Sequence, residues 1–218
     1  KHLTTADTPR SITVFEASDT AGYGMPYRPG MNADYMYCNA FSREIPSFTQ
    51  PLIGWLKSLP ARDLTEWELT SDDITARAFY PRVLIGEYLQ SEFDSLCERA
   101  RAAGHRVDVR TNARVRDIRP DGDDMRLLVD RDGTSEEAAF DDVVIATGHH
   151  WSEAPSIGGV PLVSPWPHSS ITALPPGRIG ILGSSLSAID VVVALGMTHG
   201  TFEEDDVHVR WLPHDGDT

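Results

Sequence analysis

Arg178-Ile179-Gly180-Ile181-Leu182-Gly183-Ser184-Ser185-Leu186-Ser187-Ala188-Ile189-Asp190 is the stretch on which the fold turns. It reads as a buried strand over Arg178–Leu182, a turn of small residues, and a helix over Ser187–Leu195. A turn of this kind lets backbone N–H groups approach a pyrophosphate at the positive end of a helix. Ser185 stands where the usual fingerprint has its second glycine, and Ala188 is small enough for close helix–strand packing. An ordinary strand-to-helix turn is the plainer reading of the same residues.

Working outward, Val143-Val144-Ile145-Ala146-Thr147-Gly148 is a second apolar run ending in small residues. Such an ending lets the chain pass close to a bound cofactor, and glycine tolerates unusual dihedrals there. Near the start, Ser11 to Ala17 reads SITVFEA, a β-branched and aromatic strand that closes on Glu16. A strand-terminal acid can accept hydrogen bonds from both ribose hydroxyls of an adenosine. The Gly-rich turn that normally lies roughly 20 residues before such an acid is expected to be missing. The chain is therefore read as an N- and C-terminally incomplete portion, expected to hold FAD poorly alone.

Between these markers, Pro81–Ala103 carries Val83, Leu84, Tyr88, Leu89, Phe93, Leu96, Cys97 and Ala100 at helical spacing. Pro81 suits its first turn and Gly104 its stop. Gln50–Leu59 predicts a short helix, Ser18–Asn39 a loop, and Pro60–Ala78 a polar, irregular stretch. His105–Val109, Val115–Ile118, Met125–Val129 and Ala138–Ala146 read as strands, with Asp121-Gly122 and Asp132-Gly133 as turns. They predict a β-meander whose last strand, Val143–Ala146, shares a mainly parallel sheet with Ser11–Ala17. Trp151–Pro176, rich in proline, reads as a connection, and Val207–Leu212 as a further strand.

Composition narrows the function classes. The chain has 218 residues, 40% hydrophobic and 24% charged, with a net charge of −14. Acidity of this order repels phosphate backbones, so no nucleic-acid partner is expected. No apolar run is long enough for a membrane span, and no leader is evident. Cys38 and Cys97 form no C-x-x-C pair, so no metal site is expected. Two reduced thiols suit a cytoplasmic protein.

The order of these features resembles flavoproteins with two dinucleotide-binding domains: Glu-ended strand, meander, Ala-Thr-Gly, then Gly-x-Ser-x-Ser-Ala. Within them the chain is similar to the bacterial FAD/NAD(P)-binding oxidoreductase family, on the Tyr-Cys-Asn-Ala…Arg-Glu-Ile-Pro-Ser-Phe segment (Tyr37–Phe48) and the Phe-Tyr-Pro-Arg…Gly-Glu-Tyr-Leu segment (Phe79–Leu89). The resemblance implies an α/β fold. A Rossmann-like FAD-binding domain with meander and a helical insertion at about 41–103 would span 1–150. A connection over 151–177 and part of a second Rossmann-like, NAD(P)-binding domain over 178–218 would follow.

It implies FAD and NAD(P)H as cofactors and a small-molecule substrate. Glu16 would hold the adenosine ribose, and Gly22 and Gly24 would line the flavin pyrophosphate or ribityl chain. Asn39 and Ala40 would approach the isoalloxazine, Val115 would offer backbone contacts to adenine, and Thr147 and Gly148 would close over the cofactor. Gly183, Ser184, Ser185, Leu186 and Ser187 would cradle the NAD(P)H pyrophosphate. The expected activity is FAD-dependent oxidation of NAD(P)H, with an N-hydroxylating monooxygenase as the analogue. A dinucleotide-binding or interaction module without catalysis is the rival class. His149-His150-Trp151 reads as a proton shuttle, a metal ligand, or interdomain packing with loop hydrogen bonds. Arg82 reads as an anion ligand or a helix-start ion pair. Tyr80 and Tyr88 read as core or rim aromatics, and Cys38 as a flavin contact or a buried small residue.

Overall fold

The computed structural model describes residues 8–148, 156–205 and 207–214. They fall into two units: residues up to Gly24 together with Tyr37–Gly148, and Met25–Met36 together with the later residues. His149, His150 and Trp151 lie outside the described residues.

The first unit is organised by a parallel strand pair. Strand β1 (Ser11–Phe15) runs alongside β2 (Arg106–Arg110), with Ile12 opposite Val107 and Val14 opposite Val109. Backbone bonds extend the pairing at both ends: Arg106 N–H donates to Arg10 O at 2.9 Å and Glu16 N–H to Arg110 O at 2.9 Å. Parallel strands need a long crossover. Here it contains α1 (Leu52–Ser58), α2 (Ala61–Glu66) and the 21-residue α3 (Arg82–Ala102). Each helix starts directly after a proline (Pro51, Pro60, Pro81) held extended, with no side-chain cap. Proline's fixed φ sets the entry, and its missing N–H costs nothing there. Gly104, at φ 89°, ends α3, and Arg99 and Arg101 occupy its last turn, where the helix dipole favours cations.

The buried residues of this crossover include Leu52, Leu56, Tyr80, Leu84, Ile85 and Tyr88, all at 1% exposure or less. Tyr80 and Tyr88 are thus core aromatics, and Trp55 meets the Tyr88 ring at 5.7 Å. Among these apolar groups sits Glu92, only 1% exposed. Its carboxylate accepts from Phe48 N at 2.7 Å, Thr49 N at 2.6 Å, Gln50 N at 3.1 Å and the Thr49 hydroxyl. Burial pushes its pKa up, but these bonds outweigh burial and hold it below the ordinary carboxylate value. Burial, reinforced by Glu92, pushes the Tyr88 phenol up to about 12.

The meander is three antiparallel strands: β3 (Ala113–Asp121), β4 (Asp124–Arg131) and β5 (Thr134–Phe140). Asp132 and Gly133 both have positive φ (50° and 78°), as a type I′ turn requires, which explains the Asp-Gly signal. Leu127, Val129 and Ala113 form its buried face, joined by Phe15, Phe140 and Val143. His105–Val109 was expected to lead into the meander, but its counterpart β2 belongs to the parallel sheet with β1.

Two expected strands are not strands. Val143–Ala146 has no ladder partner among the described residues, and Val144 is 88% exposed. Arg178–Leu182 is likewise unpaired, with Leu182 78% exposed. Apolar runs signal burial in a sheet, but a strand exists only where a neighbouring edge supplies hydrogen bonds. Among the described residues the parallel sheet is therefore two-stranded, without Val143–Ala146. Pro60–Ala78, expected to be irregular, contains α2, whose apolar contribution is mainly the buried Leu64.

In the second unit, β6 (Ser156–Ile157) and β7 (Val160–Pro161) form a small hairpin, and α4 (Ser169–Thr172) precedes α5 (Leu186–His199). Then β8 (Gly200–Glu204) turns back antiparallel onto β9 (Val209–Pro213). The strand expected at Val207–Leu212 is thus half of a hairpin whose first arm was not foreseen. A Cβ on Gly196 would stand 2.5 Å from Phe202 Cζ, and Trp211 Nε1 donates to Gly196 O at 2.8 Å. The hairpin rings need that bare backbone to reach α5. No helix among the described residues is long and apolar enough to cross a membrane.

Two outcomes follow from this packing. Gly196→Ala should lower stability by about 1–3 kcal/mol through overpacking against Phe202, read as a fall in urea midpoint. Glu92→Gln should cost about 2–4 kcal/mol at neutral pH, because donors aimed at a charge lose it. Since Glu92's folded pKa lies below its unfolded value of about 4.3, its stabilisation is full above that pH. It is lost as pH falls through the folded pKa. The urea-midpoint gap between wild type and variant should stay constant from neutrality to about pH 5 and close below about pH 4.3; a gap that persists in acid would contradict it.

Candidate functional site

The carboxyl ends of β1 and β2 are where an open parallel sheet presents its ligands. Glu16 stands one residue past β1 and is half-buried. Its Oε1 accepts from Ser18 N at 2.8 Å and from Ser18 Oγ at 2.7 Å, which fixes the carboxylate at the strand end. Its backbone ties it to the meander, since Ala113 N donates to Glu16 O at 2.9 Å. Glu16 and Val115, 99 positions apart in sequence, are thereby brought to one corner. Val115 pairs with Val129 just before a bulge that leaves Arg116 without a register partner. Because β3 is an edge strand, one side of its backbone is not used by the sheet.

Gly22 and Gly24 follow in the loop after β1, with φ of 101° and 73°. A Cβ on Gly22 would lie 3.0 Å from Gln90 Cα and 3.0 Å from Phe93 Cβ. The structure therefore gives Gly22 a packing reason of its own, the seating of this loop on α3. Beside it lies a cleft of about 270 Å³ that sequence reading did not find, lined by Asp19, Thr20, Asp94, Cys97, Arg101 and Thr111 among others. Its α3 residues share one helical face, a spacing visible in the sequence but indistinguishable there from core. Burial raises the Cys97 thiol's pKa, so the thiol is poorly ionised.

Asn39 is exposed and Ala40 half-buried, on a segment whose ends are firmly tied. Cys38 N donates to Tyr80 O at 2.8 Å, Ser42 N to Ala78 O at 3.0 Å, and Ser42 Oγ to Thr75 O at 2.5 Å. Cys38 itself is buried. Phe41 and Phe79 pack ring to ring at 4.6 Å, and Tyr37, Phe48 and Phe79 remain substantially exposed. Thr147 and Gly148 are exposed and follow the meander in irregular chain, Gly148 with φ 69°.

In the second unit, Gly183 has φ +118° and open space where a Cβ would be. Ser185 is the N-cap of α5 and makes no side-chain capping bond. Ser184, Ser185 and Leu186 are exposed, Ser187 is half-buried, and the first turn of α5 carries no acidic residue. The N-terminal N–H groups of this 14-residue helix thus face no carboxylate from its own first turn. The same unit holds an unforeseen polar cluster. The Tyr35 hydroxyl lies 2.7 Å from His168 Nε2, and Trp166 Nε1 donates to Asn32 Oδ1 at 3.3 Å. Burial lowers the pKa of His168 and raises that of Tyr35. Among the described residues no group of three or more His, Cys, Asp and Glu is placed to hold a metal.

The polar groups fit those implied by this layout: an anchored carboxylate to accept from ribose hydroxyls, and the N–H groups of an uncapped helix start behind an open glycine to donate to a pyrophosphate. The chain is 35% identical over 199 residues to the uncharacterized protein YdhS of Escherichia coli strain K12. The alignment covers 91% of this chain and 37% of that protein, so the chain spans little more than a third of its relative's length. No solved structure matches it. A sequence family described as FAD-NAD(P)-binding matches residues 1–150, and the chain, as an α/β protein with parallel and antiparallel sheets, belongs to this FAD- and NAD(P)-binding family.

Proposed function

We propose that the chain is the nucleotide-binding portion of an FAD-dependent oxidoreductase that takes its electrons from NAD(P)H. The observation that carries this reading is Glu16: an acid at the carboxyl end of a parallel strand, oriented by Ser18 and joined through Ala113 to the edge strand of Val115. A bound flavin supplies the two-electron acceptor for a hydride from nicotinamide. The protein's part is to bind, orient and exclude water. Glu16 accepts the ribose hydroxyls, and the β3 edge at Val115 presents backbone groups to adenine. Tyr37, Asn39, Ala40 and the Phe41–Phe79 pair supply an apolar and amide wall for the ring system. Thr147 and Gly148 close over the ligand. Gly183 to Ser187, with the N–H groups of α5, hold the NAD(P)H pyrophosphate.

Each nucleotide lobe is read as Rossmann-like, the first spanning 1–150 and the second beginning at 178. The acceptor of the flavin's electrons is oxygen or an organic molecule. Oxygen transfer to a small-molecule amine is the finer outcome, by analogy with N-hydroxylating flavoproteins. Cys38 and Cys97, both free and buried, support a reducing, cytoplasmic setting.

Glu16→Ala in the whole protein should weaken FAD by about 1–3 kcal/mol, the loss of charge-assisted hydrogen bonds, measured by fluorescence titration of the apoprotein. An unchanged affinity would make Glu16 a strand end and nothing more. Gly183→Val should leave FAD content intact yet abolish flavin reduction by NADH and NADPH in anaerobic stopped flow. A β-branched residue is strained at φ +118° and would fill the open approach. Equal reduction rates would move the electron donor to another part of the protein.

A further inference from the structure

We infer that Glu92, with Tyr88, is a positioning residue for the flavin-facing wall, and that it sets the environment of the ring system through the segment Tyr37–Gln50. The inference rests on the flavin reading above. A carboxylate buried in an apolar setting is expensive, and an apolar residue of similar size often serves stability better. Glu92 is nonetheless 1% exposed on α3, and its carboxylate accepts four hydrogen bonds from Phe48, Thr49 and Gln50. Tyr88, one turn earlier on α3, directs its hydroxyl at Pro46 O (3.1 Å) and Gln50 O (2.7 Å).

The two side chains therefore close one end of a segment whose other end is tied by Cys38 and Ser42 to Tyr80, Ala78 and Thr75. Asn39, Ala40 and Phe41 lie between the Cys38 and Ser42 ties. Phe48, whose N–H Glu92 receives, is 44% exposed. The clamp thus fixes the backbone from Phe48 to Gln50, in the same segment as those ties and beside an exposed aromatic. Fixed geometry at such a surface is what a cofactor's electronic environment requires.

The test uses the whole protein as wild type, Glu92→Gln, Tyr88→Phe and Thr49→Ala, with circular dichroism as the check on folding. Amide exchange, the bound-flavin visible spectrum, the flavin midpoint potential and FAD affinity are measured on each. In Glu92→Gln, exchange at Phe48–Gln50 should rise about tenfold. The flavin spectrum and potential should shift, and FAD affinity should fall about tenfold, as expected of a misplaced wall. Thr49→Ala, which removes one hydroxyl, and Tyr88→Phe should move the same observables in the same direction by less, and they decide the matter if Glu92→Gln does not fold. Faster exchange at Phe48–Gln50 with an unaltered spectrum, potential and affinity would overturn the inference and leave a purely structural clamp. A wild-type protein that takes up no FAD would overturn the flavin reading itself, a result distinct from any difference among variants.

Discussion

Helix α3 is buried on more than one side, and the first unit depends on that constraint. One side takes Leu84, Tyr88 and the Glu92 carboxylate with the chain around Thr49; another takes Gly22 so closely that a Cβ would stand 3.0 Å from Gln90 Cα. A helix enclosed in this way cannot leave a charge unsatisfied. The Glu92 bonds and the bare backbone at Gly22 are two answers to the same demand. They seat on one rod the loop that follows Glu16 and the chain around Thr49.

The features that sequence made legible are those decided locally. The period of Val83, Leu84, Tyr88 and Cys97, bracketed by Pro81 and Gly104, specifies α3 almost to the residue. Asp132-Gly133 specifies a meander turn because two consecutive positive φ angles suit few other pairs. What stayed hidden needed a partner. Val143–Ala146 and Arg178–Leu182 have the composition of central strands, yet strand formation depends on an edge that composition does not encode. The strand β8 reads as Gly-Thr-Phe-Glu-Glu, too polar to stand out, and exists because β9 lies beside it. For the site, the strand-terminal position of Glu16 was legible. Its anchoring by Ser18, its link through Ala113 and the Glu92 clamp are contacts that sequence distance conceals.

Surface electrostatics contribute less than their number suggests. The meander carries Arg119–Glu137, Arg126–Asp121 and Arg126–Glu137 ion pairs, all among exposed side chains. Such pairs contribute roughly 0–1 kcal/mol each and weaken with salt. They distribute charge across an acidic molecule; the apolar face at Leu127 and Val129 carries the sheet's stability.

The pairing of Ser11 with Arg106 has a kinetic meaning as well. The meander closes through turns of two residues, so its contacts form early and at little entropic cost. The β1–β2 ladder must instead wait until the whole intervening chain has gathered, because its first contact closes a very long loop. Until then the edge of β1 stays unpaired. The corner at Glu16, which joins β1 to β3, is therefore expected to close late.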